Sequence, residues 1–513
     1  MKIKDIFLAI LSGFLLVSSF PNFFNLSLSK SSGFIAWFAL VPLFYAIYYK
    51  DFKDSFKLGL ICGFIYFAGC LYWITFIKEM GSFAYLSWIL LSLYLSLYIA
   101  VFCLFLSFTN LLIAPFLWVT FEFARAHFLS GFPWVLIGHS QFKNIPLIQI
   151  SSLTGVYGVS FLVVLVNAAI AYFFANIFKG KRVILVLAVA IIIFIVSYTY
   201  GLMVIAGYVA KDEYERSSKL AEDITKKIKI SVLQGNIEQE SKWDKEYIEK
   251  TLDIYENLTK SAVKDSPQII IWPETAAPVY LRYDKKYFEK VKKIVELGNT
   301  YSLIGAPDAL IDKDYNIKEY FNSAFLISKE GKILSKYDKI HLVPFGEYIP
   351  YKDVFSFLKK VASGAGAGDF SPGGVYTVFN GPDKFSVLIC WEIVFPELAR
   401  KFVMNGANFL VTISNDAWYR ISSASYQHFI NLPFRAVENR VNIVRAANTG
   451  ISGFVDYKGE ILSYLDIFKR DKLTSLIVMR KQETLYTRFG DWFVKICAVV
   501  AVIGIIFIKK YTE

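Results

Sequence analysis

The 513-residue sequence contains little cysteine, little charge and few residues that break secondary structure. Five Cys in a chain of this length exclude a small fold that depends on disulfides. Gly and Pro number only 30 and 15 and aromatic residues make up 17%, which excludes an intrinsically disordered chain. Charged residues are 19% and hydrophobic residues 55%, against about 25% and roughly 45–50% in soluble globular proteins. The composition is therefore shifted toward that of a membrane protein.

The apolar residues are concentrated in long runs in the first two-fifths and at the end of the chain. A membrane-spanning helix needs about 20 mostly apolar residues. Candidate spans lie at 6–24, 34–49, 57–77, 85–107, 110–125, 154–178, 183–207 and 491–508. Segment 85–125 is either two helices or one long helix with a re-entrant piece. The first run lacks a small-residue cleavage site, so it is expected to be an uncleaved anchor rather than a signal peptide.

These runs predict a membrane domain at 1–209 with about seven spans, a polar domain at 210–485 and a last spanning helix at 486–513. Cytoplasmic loops carry an excess of Lys and Arg. With the N-terminus inside, basic residues collect on the inside, around Lys50–Lys57 and Lys179–Arg182. The polar domain is therefore expected outside the cytoplasmic membrane. Much of the net charge of +12 is explained by these topology signals, and no nucleic-acid-binding motif accompanies them, so nucleic acid is not an expected partner.

The polar domain alternates apolar β-like runs with amphipathic helices. Such alternation is typical of a layered α/β domain with buried sheets. Asp284 is expected to cap one helix at its N-terminus and Gly298 to end it. Strands are predicted at Lys229–Leu233, Gln268–Trp272, Tyr301–Ile304, Ala324–Ile327, Phe385–Cys390, Phe409–Ile413 and Ile443–Ala447.

Three segments of this domain place reactive side chains at or just after strand ends: Glu274, Lys339 and Cys390. Cys390 is the only Cys outside the predicted spans. A thiol becomes a good nucleophile only when a base or a positive charge helps it to lose its proton. Glu274 can act as that base, while Lys339 and the backbone N–H after Cys390 can stabilise an oxyanion. If the fold brings the three together, they suffice for acyl transfer through a thioester.

A histidine could instead serve as the base for Cys390. His341 lies two residues after Lys339, and His428 follows the loop around Trp418. Either histidine could equally have a purely structural role. No cluster of His and Cys has the spacing of a zinc site, so no metal and no cofactor are predicted.

Three motifs resemble the nitrilase (carbon–nitrogen hydrolase) superfamily: Ile271–Thr275, Tyr337–Glu347 and Cys390–Glu392. With membrane spans on both sides, nearly the whole chain resembles the apolipoprotein N-acyltransferase family. Further similar motifs are Leu233–Ile237, His341–Pro350, Gly368–Gly373 and Ile413–Trp418. The resemblance implies a multi-pass helical membrane domain joined to a nitrilase-like αββα sandwich.

The resemblance also implies roles for individual residues. Glu274 matches the general base, Lys339 the oxyanion-stabilising lysine and Cys390 the nucleophile. Glu347 matches a second glutamate near the lysine, and Glu392 a carboxylate beside the nucleophile. Three further residues are expected to help bind substrate: Trp391, Trp243 and Gln234.

The expected reaction moves an acyl chain from a phospholipid to Cys390, and then to the α-amino group of a diacylglyceryl-modified N-terminal cysteine on an apolipoprotein. The expected setting is the bacterial inner membrane, in contact with membrane lipid, with the catalytic domain on the periplasmic side and the protein monomeric. Two departures from the family pattern concern the site: Trp391 stands where tyrosine is common, and 419–428 lacks the expected glycines.

Two other functions compete with this interpretation. A membrane-tethered amidase or nitrilase acting on a soluble C–N substrate would use the same three residues but would not need eight spans. A transporter with a large external domain would place ionisable residues inside its spans and would often show internal repeats. The predicted spans carry few charges, and no repeat is evident.

Overall fold

A computed structural model describes residues 1–29, 32–177, 181–217, 226–238, 245–314, 316–350, 370–479 and 482–507. A helical N-terminal part leads into a two-sheet domain, and the chain returns to helix at its end. The helices of the N-terminal part are α1 (Ile3–Ser18), α2 (Ala36–Ala39), α3 (Val41–Ile47), α4 (Phe52–Cys70), α5 (Phe83–Ser107), α6 (Ala114–His127), α7 (Ile145–Ile148), α8 (Ser151–Thr154), α9 (Val156–Asn176) and α10 (Lys181–Ser217).

Within those described ranges, three helices are long and apolar enough to cross a membrane: α5, α9 and the Val183–Lys211 part of α10. Shorter apolar helical segments lie at Gly33–Ile47, Ile145–Thr154 and Trp492–Phe507. The ambiguous segment 85–125 forms two helices, because the Asn110 side chain caps a short turn and Pro115 lies in the first turn of the next helix, which begins at Ala114. The full count of eight spans stays a prediction. Helix α10 continues past residue 209, where the sequence suggests that the membrane domain ends.

The polar domain contains two six-stranded sheets. The first has the strand order β12-β1-β2-β3-β4-β5 and the second β11-β10-β9-β8-β7-β6. The strands are β1 (Lys227–Gln234), β2 (Ile269–Ile271), β3 (Tyr301–Ile311), β4 (Ile317–Ile327), β5 (Ile333–Asp338), β6 (Phe379–Asn380), β7 (Lys384–Ile389), β8 (Phe409–Ser414), β9 (Asn442–Ala447), β10 (Ser452–Val455), β11 (Ile461–Leu465) and β12 (Asp471–Val478). The central strands of each sheet are parallel to one another: β1-β2-β3 in the first sheet and β7-β8-β9 in the second.

The remaining helices lie outside the sheets or close the chain. They are α11 (Lys245–Val263), α12 (Lys285–Gly298), α13 (Pro396–Met404), α14 (Ala424–Phe429), α15 (Leu432–Asn439), α16 (Leu485–Phe489) and α17 (Trp492–Phe507). The Asp284 carboxylate caps α12 by accepting from the Tyr287 N–H, as the sequence predicts. The residue that ends this helix in the left-handed region is Asn299, with φ +44°, and not Gly298. Asn is one of the few non-glycine residues that adopt this conformation readily.

Alternate residues of the first sheet face two different cores. In β2, Ile269 and Ile271 belong to the core between the sheets, whereas Ile270 packs under α11 and α12. Successive side chains of a strand point to opposite faces, so a strand buried on both sides must be apolar throughout. The core between the sheets is continuous with the interior of the helical part, through residues such as Trp134 and Ile137. The sandwich and the helical part are therefore packed as one body.

Candidate active site

Glu274 lies three residues beyond the end of β2, at the carboxyl edge of the first sheet. Its side chain is 8% exposed, and both carboxylate oxygens accept hydrogen bonds. The Asn322 side-chain amide donates to Oε1 at 2.8 Å, and the backbone N–H of Asn415 donates to Oε2 at 2.7 Å. Asn322 belongs to the first sheet and Asn415 follows β8 in the second. The carboxylate is thus oriented by donors from both sheets.

Lys339 directly follows β5 and is 1% exposed. Its ammonium lies 2.9 Å from Glu347 Oε1 and 2.8 Å from Glu347 Oε2. The backbone N–H of Val343 also donates to Glu347 Oε2, at 2.8 Å. Burial by itself would lower the pKa of Lys339, but the negative charges of Glu347 and Glu274 outweigh it and raise that pKa. Lys339 is therefore held as a buried cation whose closest counter-ion is Glu347.

Asn322 connects the glutamate and the lysine, and the sequence analysis did not identify it. Its Nδ2 donates to Glu347 Oε1 at 3.0 Å as well as to Glu274, and its backbone carbonyl accepts from the Lys339 N–H at 2.9 Å. An amide nitrogen has two hydrogens, which matches two carboxylate acceptors. The signal available in the sequence is an Asn two residues before the strand predicted at Ala324–Ile327.

Cys390 begins a 3-10 helix (Cys390–Val394) directly after β7. Its φ of +54° lies in the left-handed region, which costs a non-glycine residue about 1–2 kcal/mol. Burial and the charge of Glu274 raise the pKa of the thiol, while Lys339 and the Ser414 hydroxyl act in the opposite direction. Since both Glu274 and Lys339 act on this thiol, the structure brings the three predicted residues into one site. The raised pKa means that the resting thiol keeps its proton and requires a base to become a nucleophile.

Glu392 is completely buried and joins the lysine segment to the cysteine segment. Its Oε1 accepts from the Tyr337 hydroxyl at 2.7 Å and from the backbone N–H groups of Ile340 and His341 at 2.8 and 3.0 Å. Its Oε2 accepts from the Ile389 N–H at 2.7 Å. Burial raises the pKa of Glu392 to about 7, although these donors partly oppose that shift. The residues on both sides of Lys339 and the residue before Cys390 are therefore fastened to a single carboxyl group.

Trp391 lines the junction between the two parts of the protein. Its indole ring stacks on Trp134 of the helical part, with ring centroids 5.4 Å apart and planes 14° apart. Phe132 lies 5.3 Å from it on the same side, and Phe395 lies 5.9 Å away. Aromatic rings thus surround the residue that follows the nucleophile.

The other predicted site residues have different outcomes. Gln234 is fully buried, and its side-chain amide donates to the Asp466 carbonyl and accepts from the Ser452 hydroxyl. Both ends of the Gln234 amide are therefore used in hydrogen bonds within the protein. Trp243 lies outside the described residues.

Neither histidine contacts the thiol. His341 Nε2 lies 3.1 Å from the Ser130 carbonyl, and burial lowers the pKa of His341 to about 4. His428 Nε2 lies 3.0 Å from the Cys390 backbone carbonyl oxygen. Because both rings are engaged with backbone carbonyls, this geometry favours Glu274 over a histidine as the base.

Comparison with known proteins covers both parts of the chain. The family model for the apolipoprotein N-acyltransferase N-terminal domain matches residues 12–169, and the carbon–nitrogen hydrolase model matches residues 229–484. An apolipoprotein N-acyltransferase from Geobacter metallireducens is 37% identical over 522 residues, covering 98% of this chain and 94% of that protein. The chain belongs to the apolipoprotein N-acyltransferase family.

The similarity extends to other members of this family. The apolipoprotein N-acyltransferase of Wigglesworthia glossinidia brevipalpis is 32% identical, covering 90% of this chain and 92% of that protein. Among solved structures, a variant of the Nesterenkonia AN1 amidase from the nitrilase superfamily aligns with 51% of this chain and 93% of its own, at 19% identity and a TM-score of 0.37. Family membership and the two observed sheets confirm the predicted fold class, a helical membrane part joined to a nitrilase-like sandwich.

Proposed function

We propose that this protein transfers an acyl chain from a phospholipid to the α-amino group of an apolipoprotein whose N-terminal cysteine carries a diacylglyceryl group. The observation that carries the proposal is that the buried side chains of Glu274 and Lys339 both act on the half-buried thiol of Cys390, in a chain of this family. The helical part supports it further, because both substrates are anchored in lipid.

In the first half of the reaction, the Glu274 carboxylate accepts the thiol proton of Cys390. The thiolate attacks the ester carbonyl carbon of the phospholipid. The negative charge on the carbonyl oxygen is stabilised by the Lys339 ammonium and by the backbone N–H of Trp391. The C–O ester bond then breaks, Glu274 returns the proton to the leaving alkoxide, and a lysophospholipid departs. Cys390 is left as a thioester.

In the second half, the incoming ammonium group gives a proton to Glu274 and attacks the thioester as a free amine. The same two donors stabilise the second oxyanion. The C–S bond breaks, the second amine proton reaches the sulfur, and the acyl chain leaves as an amide. Cys390 and Glu274 are ready for another cycle once Glu274 has released its proton to solvent. Glu347 keeps Lys339 charged, and Glu392 holds the two reacting segments together.

We further propose that residues 1–209 and 486–513 lie in the bacterial inner membrane and that 210–485 works on its periplasmic side as a monomer. The distribution of Lys and Arg among the short loops supports this orientation. The aromatic junction at Trp134 and Trp391 supports lateral entry of lipid substrates, since it lies where the helical part meets the nucleophile. Aromatic walls would also keep water from the thioester.

The test is the mass of the Cys390 peptide after incubation with a phospholipid of defined acyl chain and no acceptor. We expect a hydroxylamine-labile adduct with the mass of that chain in the wild-type protein and none in Glu274→Gln. An unmodified Cys390 beside intact phospholipid would contradict the acyltransferase and favour an amidase of the same superfamily. Adding a diacylglyceryl-cysteine peptide should then discharge the thioester and acylate the peptide amine.

A further inference from the structure

A second buried polar network lies beside the nucleophile, around the segment that follows β8. His428 of α14 is 2% exposed and points its Nε2 at the Cys390 carbonyl, 3.0 Å away. On the other side of the ring, Arg445 Nη2 lies 3.0 Å from Nδ1. Asp416 Oδ2 accepts from the same Arg445 nitrogen at 2.9 Å, and the Ser414 hydroxyl donates to Asp416 Oδ1 at 2.7 Å.

Arg445 at Nδ1 and the Cys390 carbonyl at Nε2 together favour one position for the hydrogen of the neutral His428 ring. A guanidinium group has only donors, so Nδ1 must accept the hydrogen bond from Arg445. Burial and the neighbouring charge of Arg445 lower the pKa of His428, which keeps the ring neutral. The single ring hydrogen is then on Nε2, where it is donated to the Cys390 carbonyl. Asp416 contacts Nδ1 at 3.3 Å but acts mainly by holding Arg445.

Holding that carbonyl also fixes the N–H on the other side of the same peptide group. The Cys390–Trp391 peptide bond is planar and trans, so its C=O and N–H point in opposite directions. The Trp391 N–H belongs to the first turn of a 3-10 helix, where backbone donors have no partner inside the helix. A hydrogen bond to the carbonyl additionally polarises the peptide and makes its N–H a stronger donor.

We propose that His428 is a positioning residue that orients and polarises the Cys390–Trp391 peptide, so that its N–H stabilises the oxyanion of both half-reactions. The inference rests on the proposed function. His428 touches no substrate and exchanges no proton. It acts on the reaction through the backbone of the nucleophile, whose φ of +54° is a conformation that needs support from its surroundings.

Gln427, the residue before His428, links α14 to the helical part. Gln427 Oε1 accepts from the indole N–H groups of Trp134 and Trp73 at 2.8 and 3.2 Å, and its Nε2 donates to the Pro21 carbonyl at 2.8 Å. The two adjacent residues of α14 therefore face different partners. Gln427 holds three segments of the helical part, and His428 holds the nucleophile.

The test compares His428→Gln with His428→Met in the full-length protein. Both side chains are unbranched and of similar length, but only Gln has an N–H that reaches the position of Nε2. We expect His428→Met to form the Cys390 thioester about 100-fold more slowly, the scale of one lost oxyanion donor, with little change in KM for phospholipid. His428→Gln should form the thioester at least tenfold faster than His428→Met. His127→Gln is the matched control and should react as the wild type, because His127 is exposed, stacks on Phe123 and hydrogen-bonds the Phe123 carbonyl rather than any member of this network.

Alkylation by iodoacetamide separates this role from general damage to the site. Displacement of iodide by the thiolate forms no oxyanion, so the Cys390 peptide should be alkylated at the same rate in both variants and the wild type. Equal thioester formation in His428→Met and wild type would overturn the inference while leaving the proposed function intact. A matching loss of alkylation, or equal rates for the Gln and Met variants, would also overturn it. Absence of any thioester in the wild type would instead contradict the proposed function.

Discussion

Asn322 Nδ2 lies 2.8 Å from Glu274 Oε1 and directs the carboxylate that we propose as the general base. The same nitrogen reaches Glu347 Oε1 at 3.0 Å, so one amide separates two carboxylates of like charge. A donor between two acidic side chains both orients them and reduces their repulsion. The loss of Asn322 is therefore expected to slow thioester formation, although its side chain carries no charge.

Replacing Asn322 with Asp should remove this donor and add a third negative charge beside Glu274. We expect thioester formation to fall by about 100-fold or more, since a lost hydrogen bond to a charged group is worth about 1.5–3 kcal/mol and the added charge increases the effect. The measurement is the rate at which the acyl mass appears on the Cys390 peptide. Asn316→Asp, an equivalent change at an exposed position next to the start of β4, is the control and should leave the rate unchanged. A rate for Asn322→Asp within threefold of wild type would count against the role.

Replacing Glu347 with Gln should shift the pH range of the reaction. Glu347 is the main group that raises the pKa of Lys339 against the effect of burial. Without that charge, the pKa of Lys339 falls, and the ammonium loses its proton at a lower pH. The rate of thioester formation should therefore decline on the alkaline side at a lower pH than in the wild type. Because the pKa of Lys339 is raised in the wild type, its alkaline decline should lie above pH 10, and rate profiles from pH 6 to 10 should show a decline in Glu347→Gln alone. A variant whose rate also stays constant up to pH 10 would be inconsistent with Glu347 as the counter-ion.

Glu392→Gln should damage the site without touching any reacting atom. All four contacts of Glu392 are donors, and a Gln side chain presents its own NH2 to at least one of them. A buried donor left without an acceptor costs about 1–3 kcal/mol. We expect a lower thermal unfolding temperature together with at least a tenfold lower kcat. Glu330→Gln, at an exposed turn before β5, is the control and should change neither value. An unaltered kcat in Glu392→Gln would refute the role of Glu392 in holding the lysine and cysteine segments together.

Gln427→Leu should loosen the junction between the two parts of the protein. The substitution leaves the indole N–H groups of Trp73 and Trp134 buried without their shared acceptor. At about 1–3 kcal/mol for each unsatisfied donor, the unfolding temperature in detergent should fall by several degrees. Trp fluorescence would report the change directly. Gln427→Glu keeps an acceptor for both indole N–H groups but loses the donor to the Pro21 carbonyl. A lower unfolding temperature in Gln427→Leu but not in Gln427→Glu would assign the effect to the indole hydrogen bonds.

Much of the fold was accessible from the sequence because its strongest signals are local. Seven apolar strands and the Asp284 cap are found where the spacing of apolar residues places them. Two strands that were not predicted, β11 and β12, are antiparallel edge strands whose side chains are mostly half-buried or exposed, and an apolar run is not required there.

Prediction of the site from the sequence has the same limit, because only local signals can be read. Glu274, Lys339 and Cys390 stand at or just beyond strand ends, and the sequence marks such positions. Asn322 and His428 act through contacts between segments far apart in the chain, which no local spacing records. Gln234 lies in a motif that resembles the family, yet its amide is used by Ser452 and Asp466. A motif match therefore locates a segment, while the partner of each side chain depends on the tertiary fold.

The pairing of β1 with β12 has a consequence for biosynthesis. These strands open and close the sandwich in sequence, and eight residues of each are in register from Lys227 with Val478 to Gln234 with Asp471. A ribosome finishes β1 more than two hundred residues before β12 exists. During that interval, one edge of β1 has no partner strand and the first sheet stays incomplete. The domain can close only when nearly the whole chain has been made, so a nascent chain truncated before β12 would be a substrate for chaperones and proteases rather than a partly active enzyme.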